Sequence, residues 1–352
     1  MLLKSKSYSC LIAVIIIVLI ISFPDISSIG VSRGLLISAN VIIPSLFPFM
    51  VFVLMLIKSE IHIKNRILNN ILYTVFGHNF DMFFVFVLSL IGGYPIGARL
   101  VNEMLVQKKI DNKTANIMLM YCVNAGPAFI VSVVGSGVFN SQKIGFVLLL
   151  SHITASILIA IFCGRNLKKL NCEYQVHNEN LKPFSQIFVE SVADACGAML
   201  SICCFVILFS AINSYLDFFF GSMSILKYIS YFTEVTSAVI KTKNIFFISF
   251  LLGFSGLSIW CQVFAMSKGA QINILRFCFG RIMHGTISVV ITKLIIVVFK
   301  IKILTFSNNI NPQNDTLYSN TALFFAMTIM LIVLLTFLYS KNNSGKFIND
   351  VI

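Results

Sequence analysis

Long apolar stretches, separated by short charged segments, are the feature of this chain that most limits its fold. A spanning α-helix needs about 20 consecutive apolar residues, and most of the stretches without Asp, Glu, Lys or Arg approach or exceed that length. They cover residues 7–24, 34–57, 82–98, 114–142, 144–164, 195–216, 244–267 and 316–340. Only 11% of the 352 residues are charged, against about 25% in soluble domains. The sequence therefore predicts an all-α polytopic protein that spans the cell membrane several times, with the lipid bilayer as its first partner.

The positive charge of the chain lies between the apolar stretches. The 26 Lys and Arg residues outnumber the 13 Asp and Glu residues, for a net charge of +13. A nucleic-acid-binding protein would collect this excess in one basic patch, whereas here it follows the positive-inside pattern of membrane proteins. With the N-terminus inside, Lys58, Lys108 and Lys109 all fall on the cytoplasmic side if residues 82–106 enter the membrane and return. No nucleic-acid partner is predicted.

Two of the apolar segments are interrupted by small residues. The first contains SLIGGYPIGARL (89–100), and the second contains GFSGLS (253–258). Irregular backbone at membrane depth is tolerated only where protein buries it or where it lines a cavity. We predict that residues 82–106 and 249–269 form two re-entrant helical hairpins, with their turns near Gly93 and Ser255.

The two predicted hairpins divide the chain into similar halves. In each half a helix is followed by a hairpin and two further helices, and the halves enter the membrane from opposite sides. A shift of 163 residues places Gly93 on Gly256 and Ile96 on Ile259. The pattern predicts an inverted repeat with about seven spanning helices plus two hairpins, an organisation typical of secondary transporters.

The same pattern predicts the division of the chain into segments. Lys4 and Lys6 precede the first apolar stretch, as in a signal peptide, but no small-residue cleavage site follows, and we expect this stretch to be kept as a helix. The predicted segments are 1–34 (N-terminal transmembrane helix and loop), 35–163 (first repeat), 164–185 (cytoplasmic-side loop), 186–340 (second repeat) and 341–352 (polar tail).

Several short motifs resemble, in order, those of the YlbJ-type sporulation integral membrane proteins. They are PSLFPFMVF (44–52), GGYPIGARL (92–100), NAGPAFIVSVVG (124–135), YFTEVTSAV (231–239) and GLSIWCQV (256–263), followed by Arg281. The resemblance implies a nucleoside-recognition, or gate, domain related to nucleoside carriers. It also implies a role in forming the spore cortex and in moving dipicolinic acid across the outer forespore membrane. One departure is GFSGLS at 253–258, where the family pattern has FGGLS.

The candidate substrate-binding residues lie at these breaks and motifs. The partial positive charge of half-helix N-termini and the cations Arg99 and Arg281 suit a small anionic substrate. An unpaired arginine inside the bilayer is costly, so each arginine is expected to have an anionic partner. The candidates are Gly92, Gly93, Tyr94, Pro95, Arg99, Asn124, Gly126, Pro127, Ser255, Gly256, Ser258, Gln262 and Arg281. Acidic residues that could carry a coupling proton are Glu103, Glu190, Asp194 and Glu234.

Each group of candidates has a second interpretation. The glycines at 92–97 also suit close helix packing, and the NAGP at 124–127 also suits a proline kink. Glu190 and Asp194 stand near a helix N-terminus, where acids are favoured electrostatically. Glu103 is at i+4 from Arg99 and would neutralise it without any substrate.

Three functions remain open at the level of sequence. The first is an anion transporter for dipicolinic acid, the second is a nucleoside-type carrier, and the third is a non-transporting scaffold of the sporulation membrane, with a homo-oligomer left open. No nucleophile, base and orienting group occur together. The nine cysteines and five histidines lack metal-binding spacing. The sequence therefore predicts neither an enzyme nor a cofactor.

Overall fold

The computed structural model describes residues 2–59, 66–165, 183–221 and 227–300. These residues form helices and short connections, and no strand occurs among them. The predicted helix 320–340 and the tail 341–352 lie outside the described residues. The elements are α1 (Leu2–Ser22), α2 (Pro24–Ile37), a π-helical segment (Ser38–Ile42), α3 (Ile43–Lys58), α4 (Arg66–Phe76), α5 (Phe80–Gly92), α6 (Tyr94–Val106), α7 (Asn112–Tyr121), a second π-helical segment (Phe129–Val138), α8 (Gln142–Gly164), α9 (Phe184–Phe220), α10 (Lys227–Thr233), α11 (Val235–Lys241), α12 (Ile245–Phe254), α13 (Gly256–Met266) and α14 (Ile274–Val298).

Several of these helices have the length and composition of membrane spans. Within the described part of the chain four qualify: α8, α9, the segment Ile245–Met266 and α14. A fifth is obtained if Ala13–Ser22 and Pro24–Ile42, which meet at 103°, are counted as one span. The all-helical membrane class that the sequence predicts is confirmed. Residues 24–34, which the sequence places in a loop, form most of α2.

Large apolar side chains on these helices point away from the protein interior. Leu275 is 84% exposed, Phe162 is 75% exposed and Leu200 is 68% exposed. A water-soluble protein rarely exposes apolar patches of this extent, whereas a bilayer covers them with lipid tails. The exposed apolar faces therefore agree with a multi-pass membrane protein.

The two interrupted segments differ in how the chain continues after the break. At Gly93 the chain folds back, so that α6 lies against α5. A Cβ atom built on Gly97 of α6 would lie only 2.8 Å from Cβ of Ser89 in α5. At Ser255, α12 and α13 continue as one apolar span of 22 residues. The predicted hairpin at 249–269 is therefore wrong. The Trp260 indole donates across the break to the Phe254 carbonyl at 2.9 Å, which ties the start of α13 to the end of α12.

Side chains of Asn and Asp define where several helices begin. Asn79 Oδ1 accepts from Met82 N at 2.9 Å at the start of α5, and Asp111 Oδ1 accepts from Thr114 N at 2.8 Å at the start of α7. Asn273 Oδ1 accepts from Arg276 N at 3.0 Å at the start of α14. Each cap pairs a backbone N–H that has no partner within its own helix.

Glycines allow the closest helix contacts of the fold. A Cβ built on Gly30 would lie 2.6 Å from Cα of Ala211, and one built on Gly34 would lie 2.6 Å from Cα of Ile207. This pair, spaced by four residues, lets α2 lie directly against α9, as small residues do in membrane helix pairs. Gly253 of α12 approaches Gly285 of α14 in the same way.

Candidate functional site

A cavity opens where the breaks of several helices meet. Its lining comes from both halves of the chain and includes the turn between α5 and α6, the loop after α7, the break between α10 and α11, and one face of α13. The lining residues are Val41, Ile42, Leu46, Gly93, Tyr94, Pro95, Gly126, Phe129, Ile202, Val206, Glu234, Val235, Thr236, Ile259 and Gln262.

The turn at Gly93 brings the first residues of α6 to the cavity. Gly93 has φ +84° and ψ 173°, a conformation that is essentially restricted to glycine. Pro95 in the first turn of α6 suits a helix start because it lacks the N–H that would be unpaired there. The Tyr94 hydroxyl donates to the Leu252 carbonyl at the end of α12 at 2.7 Å. The turn is thus tied to the second half of the chain.

The loop after α7 packs against this turn. Gly126 lies beside Gly93, since a Cβ on Gly93 would be 3.6 Å from Gly126 N. Asn124 is fully buried and donates from Nδ2 to the Tyr121 carbonyl at 2.7 Å. His152 Nε2 accepts from Ala125 N at 3.0 Å. Asn124 therefore pairs a carbonyl at the end of α7, and it is not part of the cavity lining.

Arg281 connects the ends of two helices rather than lining the cavity. Its side chain is completely buried and donates from Nη2 to the Met120 carbonyl and from Nη1 to the Val123 carbonyl. Nη1 also lies 3.5 Å from the Gly253 carbonyl at the end of α12. Helix C-termini carry partial negative charge and unpaired carbonyls. The contacts of Arg281 are therefore those of a shared cap for α7 and α12.

Glu234 stands in the break between α10 and α11. It is 1% exposed, and its two carboxylate oxygens accept from Thr236 N at 2.9 Å and Ser237 N at 2.5 Å. These bonds cap α11 and keep the carboxylate at the cavity wall. Glu234 is therefore both the N-cap of α11 and a group of the cavity wall.

The break at Ser255 and Gly256 lies outside the cavity lining. Both residues have positive φ, +72° and +75°, and Ser255 Oγ donates to the Phe254 carbonyl at 2.6 Å. Gln262, further along α13, does line the cavity, and its Nε2 lies 3.4 Å from Ser258 Oγ. Only the later part of this predicted site therefore reaches the cavity.

Arg99 lies beside the acids of α9 and not beside Glu103. Its Nη2 is 3.1 Å from Asp194 Oδ2, and its Nη1 donates to the Asp194 carbonyl at 3.0 Å. Lys58 Nζ contacts the same Asp194 oxygen at 2.8 Å. The alternative interpretation, in which Arg99 pairs with Glu103, is wrong, since Glu103 is exposed and accepts from Gln107 at 3.2 Å.

The structure brings six of the predicted residues together and leaves the others elsewhere. The cavity lining contains Gly93, Tyr94, Pro95, Gly126, Glu234 and Gln262. It does not contain Gly92, Arg99, Glu103, Asn124, Pro127, Glu190, Asp194, Ser255, Gly256, Ser258 or Arg281.

Sequence reasoning missed the apolar wall of the cavity. Leu46 and Thr236 lie within motifs that the sequence singles out, PSLFPFMVF and YFTEVTSAV, so a signal for them existed. Ile202 and Val206 of α9 have no such signal. The described lining residues include one carboxylate, one amide and one tyrosine, and none of them is basic. The cavity can thus accept hydrogen bonds at Glu234 and both donate and accept them at Gln262.

The chain is similar to a curated membrane protein of spore formers. It is 23% identical over 322 residues to "Sporulation integral membrane protein YlbJ" of Bacillus subtilis (strain 168), an alignment that covers 78% of this chain and 79% of the relative. No protein-family profile matches the chain, and no solved structure matches it. The similarity confirms, over most of both proteins, the resemblance to YlbJ-type sporulation integral membrane proteins that the sequence motifs indicate.

Proposed function

We propose that this membrane protein is a secondary transporter that binds a small organic solute in the cavity between the helix breaks. The observation that carries the proposal is the meeting in one lining of Gly93, Gly126 and Glu234, each at or near a break in a different segment, with Gln262 of α13. Secondary transporters bind their substrates at such interrupted helices. Unpaired backbone groups at membrane depth are costly, but at a break that lines a cavity they are available to bind a solute.

The arrangement of helices supports an inverted repeat. A shift of 163 residues carries the range 24–58 onto α9, α5 onto α12, and α6 onto α13, within a few residues at each end. Helices that correspond in this way also contact each other: α2 and α3 contact α9, α6 contacts α13, and α7 contacts α14. Contacts of this kind are expected around a two-fold axis that relates two halves.

The proposed substrate is dipicolinic acid, moved across the outer forespore membrane for spore maturation. The similarity to a sporulation membrane protein motivates this substrate. The first turn of α6, which includes Tyr94 and Pro95, lines the cavity, and a helix N-terminus favours an anion by about 0.3 to 1 kcal/mol. The apolar wall suits the faces of an aromatic ring.

Glu234 is the proposed site of a coupling proton. A negative carboxylate and an anionic substrate in one cavity repel each other, by about 4 kcal/mol for unit charges about 4 Å apart at an effective dielectric constant of about 20. A proton that binds with the substrate removes this repulsion. The position of Glu234 in the lining supports proton-coupled movement of the acid.

Uptake by proteoliposomes tests the transporter proposal. Purified protein should take up radiolabelled dipicolinic acid with saturation, and uridine should neither enter nor compete. Saturable uptake of neither compound would favour a scaffold of the sporulation membrane instead.

The role of Glu234 has a separate test. An acidic pH on the substrate side should accelerate uptake by the wild type, and Glu234→Gln should remove this acceleration. Glu103→Gln is the matched control, because Glu103 is exposed and lies outside the cavity. An unchanged response to the pH gradient in Glu234→Gln would exclude Glu234 as the proton site.

A nucleoside-type carrier is the second candidate. Glu234 and Gln262 favour it, since an acid and an amide in one cavity suit the hydroxyl groups of ribose. Saturable uridine uptake that Gln262→Leu weakens, without dipicolinic acid uptake, would establish this function in place of the first.

A further inference from the structure

Four charged side chains form an ion cluster where α3, α6 and α9 meet. The cluster consists of Lys58 at the end of α3, Arg99 of α6, and Glu190 and Asp194 of α9. Asp194 Oδ2 is shared by both cations, at 2.8 Å from Lys58 Nζ and 3.1 Å from Arg99 Nη2. Lys58 Nζ also lies 3.4 Å from Glu190 Oε2.

The ion cluster remains accessible to a solute. The side chains of Lys58 and Arg99 are 24% and 23% exposed, and that of Asp194 is 42% exposed. Ion pairs with such exposure contribute only about 0.2 to 1 kcal/mol. Another carboxylate can therefore replace Asp194 at small cost, and the guanidinium of Arg99 offers it a two-pronged fit.

The position of the ion cluster relates it to the cavity. Arg99 follows Pro95 by four residues on α6, about 6 Å along the helix axis, and Asp194 precedes Ile202 by eight residues on α9, about 12 Å. Pro95 and Ile202 both line the cavity. No described residue of the lining is basic, and the ion cluster holds the cationic side chains of α6 and of the end of α3.

We infer that the ion cluster is a second binding site, at which a small dicarboxylate exchanges with Asp194 for Arg99 and Lys58 before it reaches the cavity. Two cations match the two carboxylates of such a ligand. Asp194 and Glu190 together balance the two cations when no solute is bound, and Asp194 competes with the solute so that binding stays reversible. This inference rests on the proposed transport of an organic acid.

A purely structural role makes a different prediction. If the ion cluster only joins α3, α6 and α9, loss of Asp194 lowers the thermal stability of the protein and does not distinguish a charged from an uncharged ligand. If the ion cluster binds the solute, loss of Asp194 removes the acid that both cations share and favours the charged ligand alone.

The test measures equilibrium binding to the purified full-length protein in lipid nanodiscs. The probes are dipicolinate and its uncharged diamide, which has a similar shape. Asp194→Asn should tighten dipicolinate binding about two- to fivefold, the equivalent of one exposed ion pair, and should leave diamide binding unchanged. Arg99→Gln and Lys58→Gln should each weaken dipicolinate binding by a similar factor.

The control variant is Asp217→Asn, which removes the acid of a separate ion pair on α9, that with Lys241. It should change neither binding constant. If the wild type binds dipicolinate and Asp194→Asn binds it equally or more weakly, the ion cluster is not a binding site, while the transporter proposal stands. If the wild type does not bind dipicolinate, the proposed substrate itself fails, and the inference fails with it.

Discussion

The helix breaks at Gly93 and Ser255 correspond in the proposed inverted repeat, yet their surroundings differ. At Gly93 the chain folds back and the turn lines the cavity. At Ser255 the chain continues as one span, and side chains pair the carbonyls at the end of α12. An interrupted apolar segment therefore does not by itself predict a substrate site. The partners of the freed backbone groups decide whether the break is filled by protein or open to a solute.

Substitution of Arg281 should have the largest effect, because this residue joins the end of α12 to the end of α7 and the loop that follows it. Arg281→Gln leaves the carbonyls of Met120, Val123 and Gly253 without a cationic donor in a buried site. An unpaired buried acceptor costs about 1 to 3 kcal/mol, so we expect a loss of about 3 kcal/mol or more. The midpoint of thermal unfolding in detergent measures it.

The matched control for Arg281 is Arg276→Gln, one helical turn earlier on α14 and only half-buried. It should leave the unfolding midpoint within a few degrees of the wild type. A stable Arg281→Gln protein that no longer binds substrate would restore Arg281 as a direct ligand.

Gly93→Ala should have the next largest effect, and it acts on the first break alone. The added Cβ has room, with its nearest contact at 3.5 Å from Leu46 Cδ2. The cost arises from the backbone, since φ +84° with ψ 173° is strained by about 1 to 3 kcal/mol for any residue with a side chain. We expect the turn to shift and uptake to fall at least about tenfold, the factor that 1.4 kcal/mol represents.

A glycine in the middle of α9 provides the control for this change. Gly197 has no atom within 4 Å of a built Cβ, so Gly197→Ala should leave uptake unchanged. Wild-type uptake in Gly93→Ala would mean that the turn tolerates a different backbone and does not shape the binding cavity.

Part of this difference between the breaks could be predicted from sequence. The glycines and proline at 92–97 predict an interrupted helix, and Gly93, Tyr94 and Pro95 do line the cavity. The caps at Asn79 and Asp111 follow from local rules, because a cap bonds within its own first turn. Local patterns of this kind depend on residues that are close in sequence.

The direction of the chain after a break depends on distant residues. The same pattern of small residues predicts a hairpin at 249–269, but the contacts that decide there include Gly285 of α14 against Gly253. Likewise the spacing from Arg99 suggests Glu103 as its partner, while the observed partner is 95 residues away in Asp194. The spacing of residues in the sequence cannot predict a contact between two helices so far apart in the chain.

Trp260→Phe should have a smaller effect and concerns the second break alone. The phenyl ring keeps the aromatic contacts with Phe254 and Phe277 but lacks the N–H that donates to the Phe254 carbonyl. Since Ser255 Oγ also donates to this carbonyl, we expect a loss of only about 0.5 to 1.5 kcal/mol. Thermal unfolding should show it, and saturable uptake should persist. Loss of uptake at unchanged stability would mean that the second break moves during transport.

Ser255→Gly should have the smallest effect, and it completes the comparison with Gly93. Ser255 has φ +72°, a left-handed conformation that costs an ordinary residue roughly 1 to 2 kcal/mol and glycine very little. The change removes the hydroxyl that donates to the Phe254 carbonyl, but the Trp260 indole still pairs that group. Gain and loss nearly cancel, so the unfolding free energy should stay within about 1 kcal/mol of the wild type, and uptake should be normal. Ser255→Ala separates the two contributions, because it loses the hydrogen bond and keeps the strain, and it should be the less stable of the two variants. If Ser255→Gly instead abolished uptake with its stability intact, the second break would need the restraint of a side chain, and it would be as much a part of the transport cycle as the turn at Gly93.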